Sequence, residues 1–105
     1  MERERRVDVI VDTICSYYGL SKEAAFENTR KQDIVLCRNM IVFYLRYDMG
    51  LTFREIGNII QKNISTAIRG FTDVREKSSN NGELRRDCEI LKKRIKDKIG
   101  SEDCA

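Results

Sequence analysis

The sequence predicts an all-α fold: a compact helical bundle containing a helix-turn-helix, with an additional helix near the C-terminus. Three observations predict it. Proline is absent and 6 of 105 residues are glycine, and helix interiors are the structures that most exclude both. Apolar residues recur at spacings of three and four along most of the chain, the period of an amphipathic helix. Cap-forming residues punctuate those stripes, as helix ends require. A single domain is expected over residues 1–105, and 41% hydrophobic with 35% charged residues suits a globular chain.

The elements follow in order. Val7, Ile10, Val11, Ile14, Cys15 and Tyr18 make one stripe, and Gly19 can end that helix in a left-handed conformation. Ser21 can cap a short helix through Phe26, which Asn28 and Thr29 break. Ile34 to Tyr47 is apolar nearly all round, so it belongs in the middle of the bundle; Gly50 stops it. Thr52-Phe53-Arg54-Glu55 is a capping box opening a short helix with Phe53, Ile56, Ile59 and Ile60. Asn63 caps the next helix, which runs to about Lys77. Its apolar stripe of Ile64, Ala67, Ile68, Phe71 and Val74 is expected to be hidden. Its opposite face shows Ser65, Thr66, Arg69, Thr72, Asp73 and Glu76. Ser78 to Gly82 reads as a loop by composition. A last helix spans 83–99, with Leu84, Cys88, Leu91, Ile95 and Ile99 on one side and Gly100 closing it.

Several function classes are disfavoured. There is no histidine, which removes the commonest general base and metal ligand; neither an enzyme nor a cofactor or metal site is expected. No apolar run is long enough to span a bilayer, and the charged N-terminus lacks a signal-peptide core. A cytoplasmic protein without membrane contact is therefore expected. Cys15 and Cys37 read as small core fillers and Cys104 as an exposed thiol, without disulfides. The net charge of +3 suits nucleic acid only where it is concentrated on one face.

Two helices joined by about three residues after a longer buried helix form a helix-turn-helix over about Thr52 to Lys77. The second helix can bury one stripe and offer the other to a major groove, its N-terminal residues reaching base edges. Those residues are Asn63, Ser65, Thr66 and Arg69. The competing reading is a protein-interaction or dimerisation module using the same helices. A docking face, however, would want aromatic or aliphatic anchors.

Glu55-Ile56-Gly57, Ile60 and the Ser65-Thr66 pair resemble the DNA-binding domain of the bacterial replication initiator DnaA, which has a Trp-repressor-like fold. Thr29-Arg30-Lys31, the segment Val35 to Leu45 with Arg38, and Leu51-Thr52 stand at matching spacing. The resemblance covers roughly residues 7–77. It implies binding to double-stranded DNA in replication initiation or regulation. Arg30 and Lys31 would hold phosphates, and Arg38 would enter a minor groove. Asn63, Ser65 and Thr66 would lie on the recognition helix, and Thr52 would face a phosphate. Arg54 and Lys62 flank the turn and are further phosphate candidates; Arg69 lies on the same exposed face as Ser65. The family's turn usually carries glycines where this chain has Gln61 and Lys62. The last helix lies outside the match. Its polar side is rich in Lys and Arg, and three roles stay open for it: packing back on the bundle, pairing two subunits, or adding phosphate contacts.

Overall fold

The computed structural model describes residues 2–27 and 29–103. Asn28, expected as a helix break, and Cys104, expected as an exposed thiol, lie outside the described residues. Among the described residues six helices follow one another: α1 Glu2–Tyr18, α2 Lys22–Ala25, α3 Gln32–Met49, α4 Phe53–Ile60, α5 Ile64–Asn80 and α6 Gly82–Asp103. No strand occurs among the described residues.

α3 is the central helix, as its all-round apolar character demands. It packs against α1, α2, α4 and α5. Met40, Ile41, Val42, Tyr44 and Leu45 are sealed in the core with Ile10, Val11 and Ile14 of α1 and Ile56 and Ile60 of α4. Each such aliphatic side chain contributes about 1.5–3 kcal/mol on leaving water. Gly19 and Gly50 take the left-handed conformation after α1 and α3, at φ 70° and 65°. Ser21 caps α2 through a bond accepted from the Ala24 amide at 3.1 Å. Cys15 and Cys37 are buried free thiols between α1 and α3. The hydrogen bond with Cys15 and burial both push the Cys37 thiol up.

Two expectations about the C-terminal third are corrected. Residues 78–82 do not form a loop: α5 continues to Asn80, and Asn81 alone joins it to α6. Local side-chain bonds replace the loop that composition suggested. The Ser78 and Ser79 hydroxyls donate to the Arg75 carbonyl, each at 3.2 Å. Arg85 reaches back from α6 and donates to the Ser78 and Ser79 carbonyls at 3.2 and 2.8 Å, satisfying orphan acceptors at the helix end. Asn81 Oδ1 accepts from the Glu83 and Leu84 amides at 3.0 and 3.2 Å, so the same residue caps α6. Nor does Gly100 close α6, which runs on to Asp103.

α6 packs back on α1 and α5. Leu84, Leu91 and Ile95 are buried there. Tyr44 donates its hydroxyl to the Cys88 carbonyl, and Tyr17 donates to Asp87 at 2.7 Å. Of the three roles left open for this helix, packing back on the bundle is the one the structure shows, with Cys88 and Ile99 of its stripe half-buried.

Candidate nucleic-acid interface

The helix-turn-helix is held by caps at each start. Thr52 Oγ1 accepts from the Glu55 amide at 3.1 Å, and Glu55 Oε1 accepts from the Thr52 amide at 3.1 Å, closing the capping box. Glu55 is also paired with Arg3 of α1, which ties the box to the bundle. α4 ends at Gln61 with φ 61°, a left-handed position that favours glycine or asparagine. The Lys62 amide returns to the Gly57 carbonyl at 2.9 Å. Gly57 is required here, because a Cβ on it would stand 2.9 Å from the Lys62 carbonyl oxygen.

Asn63 then caps α5. Its Oδ1 accepts from the Thr66 amide and from the Thr66 hydroxyl, both at 2.9 Å. These bonds define what each side chain can offer a base. The Thr66 hydroxyl has given its proton to Asn63, so toward an outside group it is an acceptor. Asn63 Oδ1 is occupied, so its amide nitrogen is the end available as a donor. Thr52 likewise donates to Glu55 Oε1 at 3.0 Å and would meet a phosphate as a donor only by leaving that carboxylate.

The orientation of α5 departs from expectation. Ala67, Gly70 and Val74 are its buried residues and Phe71 is half-buried. Ile64 and Ile68, expected in the core, are 45% and 44% exposed. The cause is the close approach of α3. A Cβ on Gly70 would lie 2.8 Å from Asn39 Oδ1, so only the small face of α5 fits against α3. The two isoleucines are carried to the flank. Ser65 and Arg69 are fully on the outside, and Thr66 and Thr72 are half-buried.

Asn63, Ser65, Thr66 and Arg69 therefore share the N-terminal two turns of α5, and Lys62 sits in the turn before them. Thr52 and Arg54 are exposed at the start of α4. Arg30 and Lys31 are exposed just before α3. Arg30 lines an open groove together with Asn39 and Asp73, which sets the basic stretch beside one flank of α5. Arg38 stands apart from this group. It is 9% exposed, its Nη1 donates to the Glu27 carbonyl at 3.2 Å, and its Nε is buried without a hydrogen-bond partner. Desolvation lowers its pKa from the ordinary arginine value.

Sequence reasoning missed two residues. Asn39 of α3 faces Gly70, its Oδ1 2.8 Å from where a Cβ on that glycine would stand. Arg46 donates to the Leu51 carbonyl at 2.9 Å and lies over the Phe53 ring at 4.9 Å, fixing the entry to α4. Its signal was an arginine in the last turn of a helix, where terminal carbonyls attract cations.

Residues 7–74 match the family model described as the bacterial dnaA protein helix-turn-helix. The chain is 34% identical over 68 residues to the chromosomal replication initiator protein DnaA of Oleidesulfovibrio alaskensis, covering 65% of this chain and 15% of that protein. It is 32% identical over 74 residues to the DnaA of Kosmotoga olearia, covering 70% and 17%. With the DnaA of Caldanaerobacter subterraneus subsp. tengcongensis it shares 29% identity over 94 residues, covering 90% and 21%. The chain thus spans about a fifth or less of the length of these relatives. The match takes in α4, the turn, most of α5 and the central helix they pack on. The chain belongs to the bacterial DnaA helix-turn-helix family.

Proposed function

We propose that this chain reads duplex DNA by laying α5 in a major groove, as the recognition part of a replication-initiation or regulatory factor in the bacterial cytoplasm. One observation carries the reading: α5 is capped and braced so that Ser65 and Arg69 stand exposed at its N-terminal end. That end of a recognition helix reaches base edges. Arg69 is a donor suited to guanine, the Asn63 amide nitrogen is a second donor, and Thr66 is an acceptor toward adenine or cytosine amino groups. Lys62 adjoins this end in the turn before α5, and Arg30, Lys31, Arg54 and Thr52, exposed elsewhere on the surface, would be further phosphate contacts. Arg38 would enter a minor groove, and to do so its guanidinium must leave the Glu27 carbonyl. The role is binding, with no catalytic step assigned to any residue and no cofactor required.

Titration of labelled duplexes at several salt concentrations tests the reading. Affinity should fall steeply as salt rises, because each phosphate neutralised by Lys or Arg releases counterions. Arg38→Ala should weaken binding; unchanged affinity in a folded Arg38→Ala protein removes Arg38 from the interface. Binding that ignores salt would overturn the reading as a whole.

A further inference from the structure

The DNA-binding role of α5, on which this inference rests, leaves open what kind of base pair its exposed face fits. Ile64 and Ile68 lie one turn apart at its N-terminal end, 45% and 44% exposed. Exposing two large aliphatic side chains here gains the free protein nothing. α5 has a buried face, but Ala67, Gly70 and Val74 fill it. On the helix surface the isoleucines run beside Ser65 and Arg69, which are also exposed. The outward face is therefore half apolar and half polar.

We infer that Ile64 and Ile68 form a strip that reads the 5-methyl groups of thymine. In the major groove the thymine methyl is the one apolar group that an unmodified base pair presents. A G·C pair offers acceptors and an amino donor there instead. An isoleucine pressed on those groups would strip their water without replacing the hydrogen bonds, which is unfavourable. The strip thus attracts A·T pairs and rejects G·C pairs at the same positions. Its length also limits the site. Four residues of α-helix rise about 6 Å, close to two base steps of about 3.4 Å each. The two side chains therefore meet base pairs one or two steps apart, with Arg69 and Asn63 reading polar edges beside them.

The test begins with a duplex enriched by the full chain from a random-sequence pool. Each thymidine in it is then replaced in turn by deoxyuridine, which deletes the methyl and keeps O4 and the pairing. The expected loss is about fourfold in affinity at each methyl the strip covers, the equivalent of one buried methylene-sized group. Ile64→Ala and Ile68→Ala should each bind the thymidine and deoxyuridine duplexes equally at one of those positions. Both sites are exposed and alanine favours helix, so melting curves should show both variants folded. If the enriched duplex binds equally well with every thymidine replaced, the methyl strip is wrong while the DNA-binding reading stands. If the alanine variants keep the methyl sensitivity, another residue reads the methyl and the inference falls. If no duplex is enriched, the DNA-binding reading itself fails.

Discussion

At Gly57 and Gly70 a single added methyl meets very different neighbours. On Gly57 it would press on the Lys62 carbonyl at 2.9 Å, which is backbone and part of the turn. Gly57→Ala should therefore destabilise the fold by about 1–3 kcal/mol, the usual range for overpacking. Duplex affinity should drop as well, because the turn sets where α5 begins. On Gly70 the methyl would meet the tip of the Asn39 side chain at 2.8 Å, which can swing aside. Replacing glycine by alanine inside a helix gains about 1 kcal/mol, so Gly70→Ala should leave stability near its original value. Urea midpoints of the two variants check the contrast; a Gly57→Ala protein as stable as the parent would contradict the geometry described for the turn. Residue identity carried part of this in advance. Glycine inside a helix is costly relative to alanine, which marks Gly70 of α5 as a place of close approach, and Asn39 of α3 is what approaches. The burial of Arg38 was not legible, because it depends on where Glu27 ends up after α2, and no local pattern encodes that.

The caps decide how well each element holds its ends. Removing the Asn63 side chain leaves the first turn of α5 without its acceptor. Asn63→Ala should cost about 1 kcal/mol, lowering Tm by about 4–8 °C for a domain of this size. Asn63→Ser, which can accept the same bond, should recover most of the loss. A thermal melt of the three proteins decides it, and equal Tm values would mean that the cap contributes nothing. The helices themselves were readable because each stripe was closed by a cap residue: Ser21, Thr52 and Asn63 cap the helices that the sequence placed after them. The rotation of α5 was not readable. Ile64 and Ile68 fit the three-and-four spacing as well as Ala67 and Val74 do. Only the nearness of α3 turns the small face inward and leaves the isoleucines outside. Composition failed at 78–80 for a related reason: Ser and Asn disfavour helix interiors on average, but here their side chains and Arg85 satisfy the end of one helix.

On the scale of the whole molecule, three tyrosines couple the bundle to alkaline pH. The bond to Asp87 holds the Tyr17 hydroxyl above its ordinary value, and burial does the same for Tyr18 and Tyr44. In the unfolded chain all three ionise near pH 10. Below that pH both states keep their protons and stability does not depend on these groups. Above it the unfolded state releases protons that the folded state retains, so stability must fall as pH rises. Urea midpoints should begin to decline above about pH 8.5, where the Cys37 and Cys88 thiols, also held above their ordinary value by the fold, ionise in the unfolded chain, and should drop more steeply beyond about 10. Tyr44→Phe, which has no proton to lose, should show a shallower drop; an identical drop would mean that Tyr44 ionises as readily folded as unfolded.

The single residue between α5 and α6 has a mechanical consequence. A joint that short has no slack, and Arg85 clamps it from one side while Asn81 closes it from the other. α6 is in turn seated on α1 through Leu91, Ile95 and the neighbouring core. The orientation of α5, set first by α3, is therefore also tied through α6 to α1. Lengthening the joint by a few flexible residues would leave the packing of α5 on α3 and α4 intact while loosening its tie to α6 and, through it, to α1.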